Sequence, residues 1–556
     1  MDNLRTVVKR RQFFACFVVI VFMAVAARSQ SLTLTDVQTV IAQAVSKAVS
    51  INQRVTISVT DKEGNLLGTF QMTGANANTL IRSVGRAGQG LENLTVPAAL
   101  AAHSKAGTAG IFSTGGNAFT TRTASFIIQE HFPPKDDNRP GGPLYGVQFS
   151  TLVCSDIAIA ALPLGLSGDP GGLPLYKNGV AVGGIGVEGD GLYTIDRDPT
   201  DSDQSFEEQI AVVGTRGFEA PPLIRGDNIL VEGIRFPFAN FSTTESVTAP
   251  AFGSLPGVVT SALRAAPASD FIPGTLGGVN GQFSSRFPIV AGSTLSVAEV
   301  QQILGGAVAI ANVTRAAIRQ PIGTNARVTI AVVDIDGKVV GLFRQQDAPV
   351  FGLDVAVQKA RTTNFLARSD AGAKLTAAGL GSYVTRGVAD GITLNGSIAF
   401  SDRGFGFLHR PLFPDGINNT QAGPFSTPLG DWSPFNVGFQ LDLIRPALLA
   451  ALSPNPPACR GAQFKKKDFL LAPCPCTSIP ELPNGVQTFA GGQPLYRGST
   501  LIGAIGVSGD GIDQDDLISA GGANLFPSPA NMRSDRTFVR GVRLPFLKFP
   551  ARPFVD

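Results

Sequence analysis

Histidine and charged residues are scarce in this sequence. Three histidines stand among 556 residues, and Asp, Glu, Lys and Arg together make up 16% of the chain. Three histidines leave little material for a hydrolytic triad, and the zinc-protease pattern H-E-x-x-H is absent. Beyond the N-terminal segment, clustered positive charge is confined to 465–467, where a solvated loop is the simplest interpretation. We therefore expect no nucleic-acid binding, which needs clustered Lys and Arg to neutralise phosphates.

Cysteine is also rare, and its spacing excludes several kinds of site. Neither C-x-x-C nor the haem-attachment pattern C-x-x-C-H occurs, so covalent haem attachment is not expected and zinc binding is disfavoured. Four cysteines follow residue 29, namely Cys154, Cys459, Cys474 and Cys476. In an oxidising compartment, Cys459 with either Cys474 or Cys476 is the local disulfide candidate.

Two further motifs are weak. Residues 184–189 read G-x-G-x-x-G, but these glycines lie within a predicted strand and its closing turn rather than at the start of a helix. Acidic groups follow at 190–203 and 510–516, without the regular spacing of an EF-hand calcium loop. Acidic residues at helix starts explain these groups more simply than calcium does.

The N-terminus has the pattern of a signal peptide. Arg5, Lys9, Arg10 and Arg11 precede an apolar run from Phe13 to Ala27, with small residues at the expected cleavage site. We expect residues 1–29 to be removed, which leaves a near-neutral mature chain with no transmembrane segment; a retained anchor is the alternative. The predicted location is periplasmic or extracellular.

Three blocks of sequence occur twice in the same order, which indicates a tandem duplication. VTISVTDKEGNLLGTF (55–70) returns as VTIAVVDIDGKVVGLF (328–343), and GGLPLYKNGVAVGGIGVEGDG (171–191) returns as GGQPLYRGSTLIGAIGVSGDG (491–511). DNILVEGIRFPF (227–238) returns as DRTFVRGVRLPF (535–546). We predict a first domain at 30–244, a linker at 245–288, and a second domain at 289–556.

The periodicity of each half predicts the same elements. Apolar residues at helical spacing follow Thr35 or Asp36, either of which is a reasonable N-cap, and LSVAEVQQILGGAVAIA repeats this helix. Alternating apolar residues around Asp61 and Gly64, and around Asp334 and Gly337, predict two hairpins. The fold class is therefore α/β (α+β), an antiparallel sheet flanked by helices in each half. Long Phe-, Pro- and Gly-rich inserts occupy 113–170 and 367–490, and inserts of this length are usually functional or form interfaces.

Together these motifs resemble the GlcG/HbpS-like haem-binding family. The resemblance rests on a helix, VTIAVVDxDGxVVGxFR, a helix ending in KAxT, and GGxPLYxxGxxIGAIGVSGxG, and covers about half of the mature chain. It implies two profilin-like domains, a ligand that is haem or another tetrapyrrole, and association of the domains as a pseudo-dimer or homo-oligomer. The sequence departs from the family pattern after Gly191, where an acidic loop precedes the last helix of the first half.

The candidate ligand-binding residues are of two kinds. His103, His131 and His409 are candidate axial donors to haem iron, although none has a counterpart in the other half. The alternatives are an exposed helix position for His103 and packing within a loop for His131 and His409. Lys105 with Thr108, and Lys359 with Thr362, are duplicated on the second helix of each half. They form a predicted cationic and hydroxyl rim for a ligand carboxylate or phosphate, or else an ordinary helix C-terminus.

These observations leave three functions open. The first is an exported protein that binds haem or a related tetrapyrrole. The second is an enzyme that degrades haem or oxidises a small substrate, and the third is a non-catalytic cell-envelope assembly module that keeps the fold without the ligand. The lack of a duplicated histidine favours the third function.

Overall fold

The computed structural model describes residues 31–158, 160–245, 248–453 and 474–555. The predicted signal segment 1–29 and Cys459 lie outside these ranges. Within them, no helix is both long enough and apolar enough to cross a membrane.

Both halves of the chain contain helices as well as strands. The α-helices in the described ranges are α1 Leu34–Ser50, α2 Ala98–Phe112, α3 Thr121–Phe126, α4 Phe206–Gly214, α5 Val297–Ala311, α6 Gly352–Leu366, α7 Ala371–Leu375, α8 Gly381–Ala389, α9 Asp402–Phe407, α10 Phe439–Leu452 and α11 Ile512–Ala523.

The first helix of each half begins with a capping box. Thr33 is the N-cap of α1, and its hydroxyl accepts a hydrogen bond from the Asp36 amide at 3.2 Å while the Asp36 carboxylate accepts one from the Thr33 amide at 2.7 Å. Ser296 and Glu299 do the same for α5. The predicted caps Thr35 and Asp36 were therefore wrong, because Asp36 serves as the reciprocal N3 partner of the cap rather than as the cap itself.

Two antiparallel sheets contain most of the strands. The strands are β1 Thr56–Asp61, β2 Leu66–Met72, β3 Asn78–Ile81, β4 Thr95–Pro97, β5 Gly172–Lys177, β6 Val180–Glu188, β7 Leu192–Tyr193, β8 Leu230–Val231, β9 Ile234–Arg235, β10 Gly257–Ser261, β11 Phe271–Leu276, β12 Val279–Ser284, β13 Val328–Asp334, β14 Val339–Gln345, β15 Gly492–Arg497, β16 Thr500–Gly509, β17 Phe538–Val539 and β18 Val542–Arg543. One sheet has the order β10-β2-β1-β6-β5 and the other the order β11-β12-β14-β13-β16-β15. The predicted α+β class is confirmed.

The two predicted hairpins are present, with the same turn chemistry. Asp61 accepts hydrogen bonds from the amides of Glu63 and Asn65 at 2.8 and 2.9 Å, and Gly64 has a φ of +84°. Asp334 likewise accepts from two turn amides, and Gly337 has a φ of +76°. The left-handed conformation explains why glycine occupies both positions.

The stretch between the two predicted domains contributes to both sheets. β10 pairs with β2 at an edge of the first sheet. The β11–β12 hairpin extends the second sheet through the pairing of β12 with β14.

Each sheet packs one face against the first and last helices of its half, and this makes two separate apolar cores. A third and larger core lies on the α2 and α6 side and takes residues from both halves, including Phe112 and Phe351, whose rings are 4.7 Å apart. Most of its aromatic side chains come from the inserts, for example Phe126, Tyr145 and Phe405. The described parts of the inserts therefore do more than connect helices and strands: they also form part of the packed hydrophobic core.

A disulfide joins the two inserts. Cys154 and Cys476 are bonded across a sequence separation of 322 residues. One of the two predicted local pairings, Cys459 with Cys476, is therefore wrong, because the packing of the inserts brings Cys476 to Cys154. Cys474 is also disulfide-bonded.

Candidate functional site

The duplicated lysines lie where α2 and α6 cross their sheets. Both helices approach the sheet closely because the facing strand carries glycine. A Cβ on Gly186 would lie 2.1 Å from the Ala102 carbonyl oxygen, and one on Gly506 would lie 2.0 Å from that of Ala356. The G-x-G pattern therefore serves helix–sheet packing, and the close contact encloses the lysine side chains.

Lys105 is completely buried and is surrounded by carboxylates. Its Nζ lies 2.8 Å from Asp169, 3.0 Å from Glu188 and 2.6 Å from Glu207, and it donates to the Val187 carbonyl at 3.0 Å. Burial alone would lower the pKa of Lys105, but the three carboxylates outweigh it and hold that pKa well above its ordinary value. We call these four side chains the Lys105 cluster. One ammonium faces three carboxyl groups, so the cluster has an excess of acid.

Lys359 has a related but less acidic setting. Its Nζ lies 3.0 Å from Asp515, donates to the Val507 carbonyl at 2.8 Å, and stands 4.5 Å from the centre of the Phe489 ring. Alignment of the GGxPLY blocks places Phe489 where the first half has Asp169, and Ser508 where it has Glu188. The second half therefore replaces two carboxylates with an aromatic face and a hydroxyl.

Asp402 lies near Lys359 and is fully buried, with no hydrogen bond to either carboxyl oxygen among the described residues. Burial raises the pKa of Asp402 well above its ordinary value, against the opposing effect of Lys359. It corresponds to Thr121 of the first half, whose hydroxyl accepts a hydrogen bond from the Gly172 amide at 2.9 Å. The Asp402 carboxyl group therefore holds its proton more tightly than an ordinary aspartate does.

The threonines of the KAxT motif fasten the inserts to the helices. Thr108 donates to the Ser104 carbonyl at 2.7 Å and accepts from the Ser167 amide at 2.7 Å. Thr362 donates to the Gln358 carbonyl at 2.7 Å and accepts from the Gln487 amide at 2.9 Å. In the structure both hydroxyls contact protein groups at the end of an insert; a ligand-binding role for them stays a prediction.

A second pair of cations, which the sequence did not point to, organises the acidic loops. Arg122 lies within 2.8 Å of Asp196, Asp203 and Glu208, and Arg403 is paired with Asp513 and Asp516. These arginines occupy the second helical position of α3 and α9 respectively. Four acidic residues of the groups considered for calcium thus have arginine partners. A search for cations at matching positions of the two halves could have found them.

The acid-rich clusters should make the protein less stable as pH rises from about 5 to 8. Burial, the largest cause, raises the pKa of Glu207 to about 8 against Lys105, and raises that of Asp515 to about 7 against Lys359. These carboxyl groups bind protons more tightly in the folded than in the unfolded protein. Their contribution to stability is therefore complete at a pH below their unfolded pKa values, and it is lost as the pH rises through their folded pKa values. Thermal unfolding followed by circular dichroism at several pH values checks this. Glu207→Gln should make the unfolding temperature depend less on pH. An unfolding temperature of the wild type that rises from pH 5 to 8 would contradict the expectation.

The three histidines lie in three different places. His103 lies on α2 and is 6% exposed. His409 is fully buried within a cage of three rings, with centroids 4.4 Å from Phe405, 5.5 Å from Phe439 and 5.6 Å from Phe425. Burial in this cage lowers the pKa of His409 to about 3.

His131 lies in the first insert, directly before Phe132 in the sequence. Its Nδ1 is 2.8 Å from the Arg139 carbonyl oxygen. Because a carbonyl can only accept, Nδ1 carries a proton, and Nε2 is the ring nitrogen that can offer a lone pair to a metal. The next residue, Phe132, packs edge-on against Phe126 and Phe236 at 5.5 and 6.0 Å. His131 is therefore a preoriented imidazole donor, and the residue that follows it belongs to an aromatic cluster.

A polar pocket of about 430 Å³ is lined by none of the three histidines. A loop of the first half and the second insert line it, with α8 and α10 contributing Arg386 and Arg445. The lysine clusters are not part of its lining either.

Comparison with known proteins gives matches only among solved structures. No family model and no curated protein matches this chain. It is similar to PduOC in a complex with haem, at 19% identity and a TM-score of 0.23, over 34% of this chain and 98% of that one. It is also similar to the Klebsiella pneumoniae protein ORFY, at 22% identity and a TM-score of 0.21, over 34% and 94% of the two chains. A third match is HbpS of Streptomyces reticuli, a double mutant, at 22% identity and a TM-score of 0.20, over 34% and 88%.

Proposed function

We propose that this chain is an exported protein of two GlcG/HbpS-like domains that binds haem or a related tetrapyrrole, with His131 as the axial donor. The observation that carries the proposal is the hydrogen bond from His131 Nδ1 to the Arg139 carbonyl. Metal-ligating histidines almost always donate their other N–H in this way, which fixes the tautomer and strengthens the donor. The repeated sequence motifs supply the link to tetrapyrrole binders.

The predicted ligand-binding residues differ in how well they could contact a tetrapyrrole. His131 offers Nε2 of an imidazole whose other nitrogen is hydrogen-bonded, and imidazole is a common axial ligand of haem iron. His409 fits poorly, because three phenylalanine rings already surround it. Lys105 and Lys359 are completely buried against protein carboxylates, so neither ammonium reaches a ligand without opening its cluster.

The export part of the proposal is supported by disulfide bonding. Disulfides form and persist mainly in oxidising compartments, and Cys154 and Cys476 are joined. The proposed arrangement of the halves as a pseudo-dimer is supported by the apolar core that takes residues from both of them.

A haem titration of the full chain, followed by absorbance in the Soret region, tests the proposal. We expect a saturable shift that His131→Ala reduces at least tenfold in affinity, because the axial bond is lost. His409→Phe is the matched control, since another ring would complete its aromatic cage, and this variant should bind as the wild type does. No shift in a folded sample, or a shift that His131→Ala leaves unchanged, would reject the assignment.

A second candidate function, a non-catalytic assembly module, is favoured by the two buried lysines. In both halves the duplicated lysine is fully enclosed by protein groups, which suits a fold kept for packing. If haem leaves the spectrum of the folded protein unchanged, this candidate takes precedence. Cross-linking of the intact protein to itself would then be expected to trap defined oligomers.

A further inference from the structure

The polar pocket has a lining unsuited to a tetrapyrrole but suited to a small charged molecule. Its lining side chains are mostly charged, amide or hydroxyl groups, with Pro428 as the only aliphatic one. Its volume of about 430 Å³ falls in the usual range for small-molecule sites. A ligand of this pocket must therefore be recognised through hydrogen bonds and charge.

Arg445 lines the pocket and is held through one edge of its guanidinium group. Its Nε donates to the Gly90 carbonyl at 2.6 Å. Its two Nη groups have no hydrogen-bond partner in the part of the chain that the structure describes, although Arg445 is half-buried. A guanidinium anchored through Nε presents two parallel N–H groups, the geometry that binds a carboxylate in a bidentate way.

The second guanidinium of the pocket is fixed by an aromatic ring. Arg386 lies 4.4 Å from the centre of the Tyr383 ring and donates to the Ser426 carbonyl at 3.2 Å. The Tyr383 hydroxyl in turn donates to Asp442, so that carboxylate already has a partner. This side of the pocket is built from residues that hold one another in place.

Asp431 supplies a negative group with little competition. Its ion pair with Arg86 is long, at 3.9 Å, and the Arg86 side chain is 65% exposed. The lining as a whole contains two arginines and two aspartates, so its formal charge is zero. A ligand of zero net charge that carries both signs would match this lining better than a dianion or a cation would.

We infer that this pocket binds an amino-acid-like zwitterion, whose carboxylate pairs with Arg445 and whose ammonium pairs with Asp431. Amide and hydroxyl groups of Gln89, Asn436 and Thr427 line the remaining space and suit a polar side chain. This inference is independent of His131 and of haem.

Calorimetric titration of the full chain tests the inference. The probes are the common L-amino acids, each titrated alone, with succinate, inorganic phosphate and ethylamine as controls of a single charge sign. We expect at least one amino acid to bind saturably and at least tenfold more tightly than any control. Arg445→Met should weaken that binding roughly tenfold or more, as loss of a charged hydrogen-bond pair does.

Three further variants separate the outcomes. Asp431→Asn should weaken amino-acid binding while leaving the weak binding of succinate unchanged or stronger. Arg497→Met should change nothing, because Arg497 is half exposed and pairs with Glu299 outside the pocket. His131→Ala should also leave amino-acid binding intact. The inference is overturned if no amino acid binds to the folded protein, if succinate or phosphate binds as tightly, or if Arg445→Met binds as the wild type does.

Discussion

Replacing Lys105 with Met is expected to lower the free energy of unfolding by about 3–5 kcal/mol at pH 7, the cost of breaking a buried ion pair by removing one partner. The side chain is completely buried, and its ammonium lies within 3.0 Å of Asp169, Glu188 and Glu207. Methionine fills a similar volume, so the loss reports the charge rather than a cavity. Without the cation, the three carboxyl groups must take up protons or remain buried as unpaired charges.

The expected loss depends on pH, which separates an electrostatic cause from a packing defect. At pH 5 the carboxyl groups of the variant bind protons at a smaller cost, so the difference from wild type should shrink. Adding Glu207→Gln to Lys105→Met should restore part of the stability, because one buried acid is then removed. Urea unfolding of the single and double variants at both pH values gives the comparison.

Lys177→Met is the matched control for this experiment. Lys177 forms an ion pair too, with the single carboxylate of Asp36 at 2.9 Å, but its side chain is 28% exposed. Exposed and partly exposed pairs contribute about 1 kcal/mol or less. If Lys105→Met lowered the free energy of unfolding at pH 7 by no more than Lys177→Met does, the side chains of the Lys105 cluster would have to be uncharged. The description of the cluster as a buried ion pair would then be wrong.

The parts of the fold that depend on short-range patterns could be predicted from the sequence. The hairpins at Asp61 and Asp334 combine strands rich in apolar residues with a turn that needs glycine, and both signals lie within about ten residues. The helix α1 was likewise evident from its buried residues at helical spacing, and only its N-cap was misplaced by a few residues. Short-range patterns of this kind are set by backbone geometry and burial on one face.

The candidate sites depended on long-range packing, which spacing along the chain does not reveal. Lys105 and Glu207 are 102 residues apart, and Arg361 of the second half pairs with Asp156 of the first across 205 residues. The sequence did show that Lys105 and Lys359 occupy equivalent positions. It did not show that glycines on the facing strands let the helices approach until both ammonium groups are enclosed.

Removal of the Cys154–Cys476 disulfide by a Cys154→Ser/Cys476→Ser double change is expected to cost about 4–5 kcal/mol. A disulfide stabilises mainly by restricting the unfolded chain, and the effect grows with the logarithm of the loop it closes. This bond closes a loop across 322 residues, far longer than a local pairing with Cys459 would have closed. Both cysteines are almost fully buried, so serine also places two hydroxyl groups in the apolar core.

Two measurements separate the loss of the cross-link from the effect of the buried hydroxyls. Guanidinium unfolding of the double serine variant and of Cys154→Ala/Cys476→Ala should show a similar loss of stability, because neither can form the bond. The slope of unfolding free energy against denaturant should rise in both, since an uncrosslinked unfolded chain exposes more surface. If the alanine pair unfolded at the wild-type midpoint with the wild-type slope, the bond would add nothing. The halves would then be held together by their shared core and by ion pairs such as Arg361 with Asp156 alone.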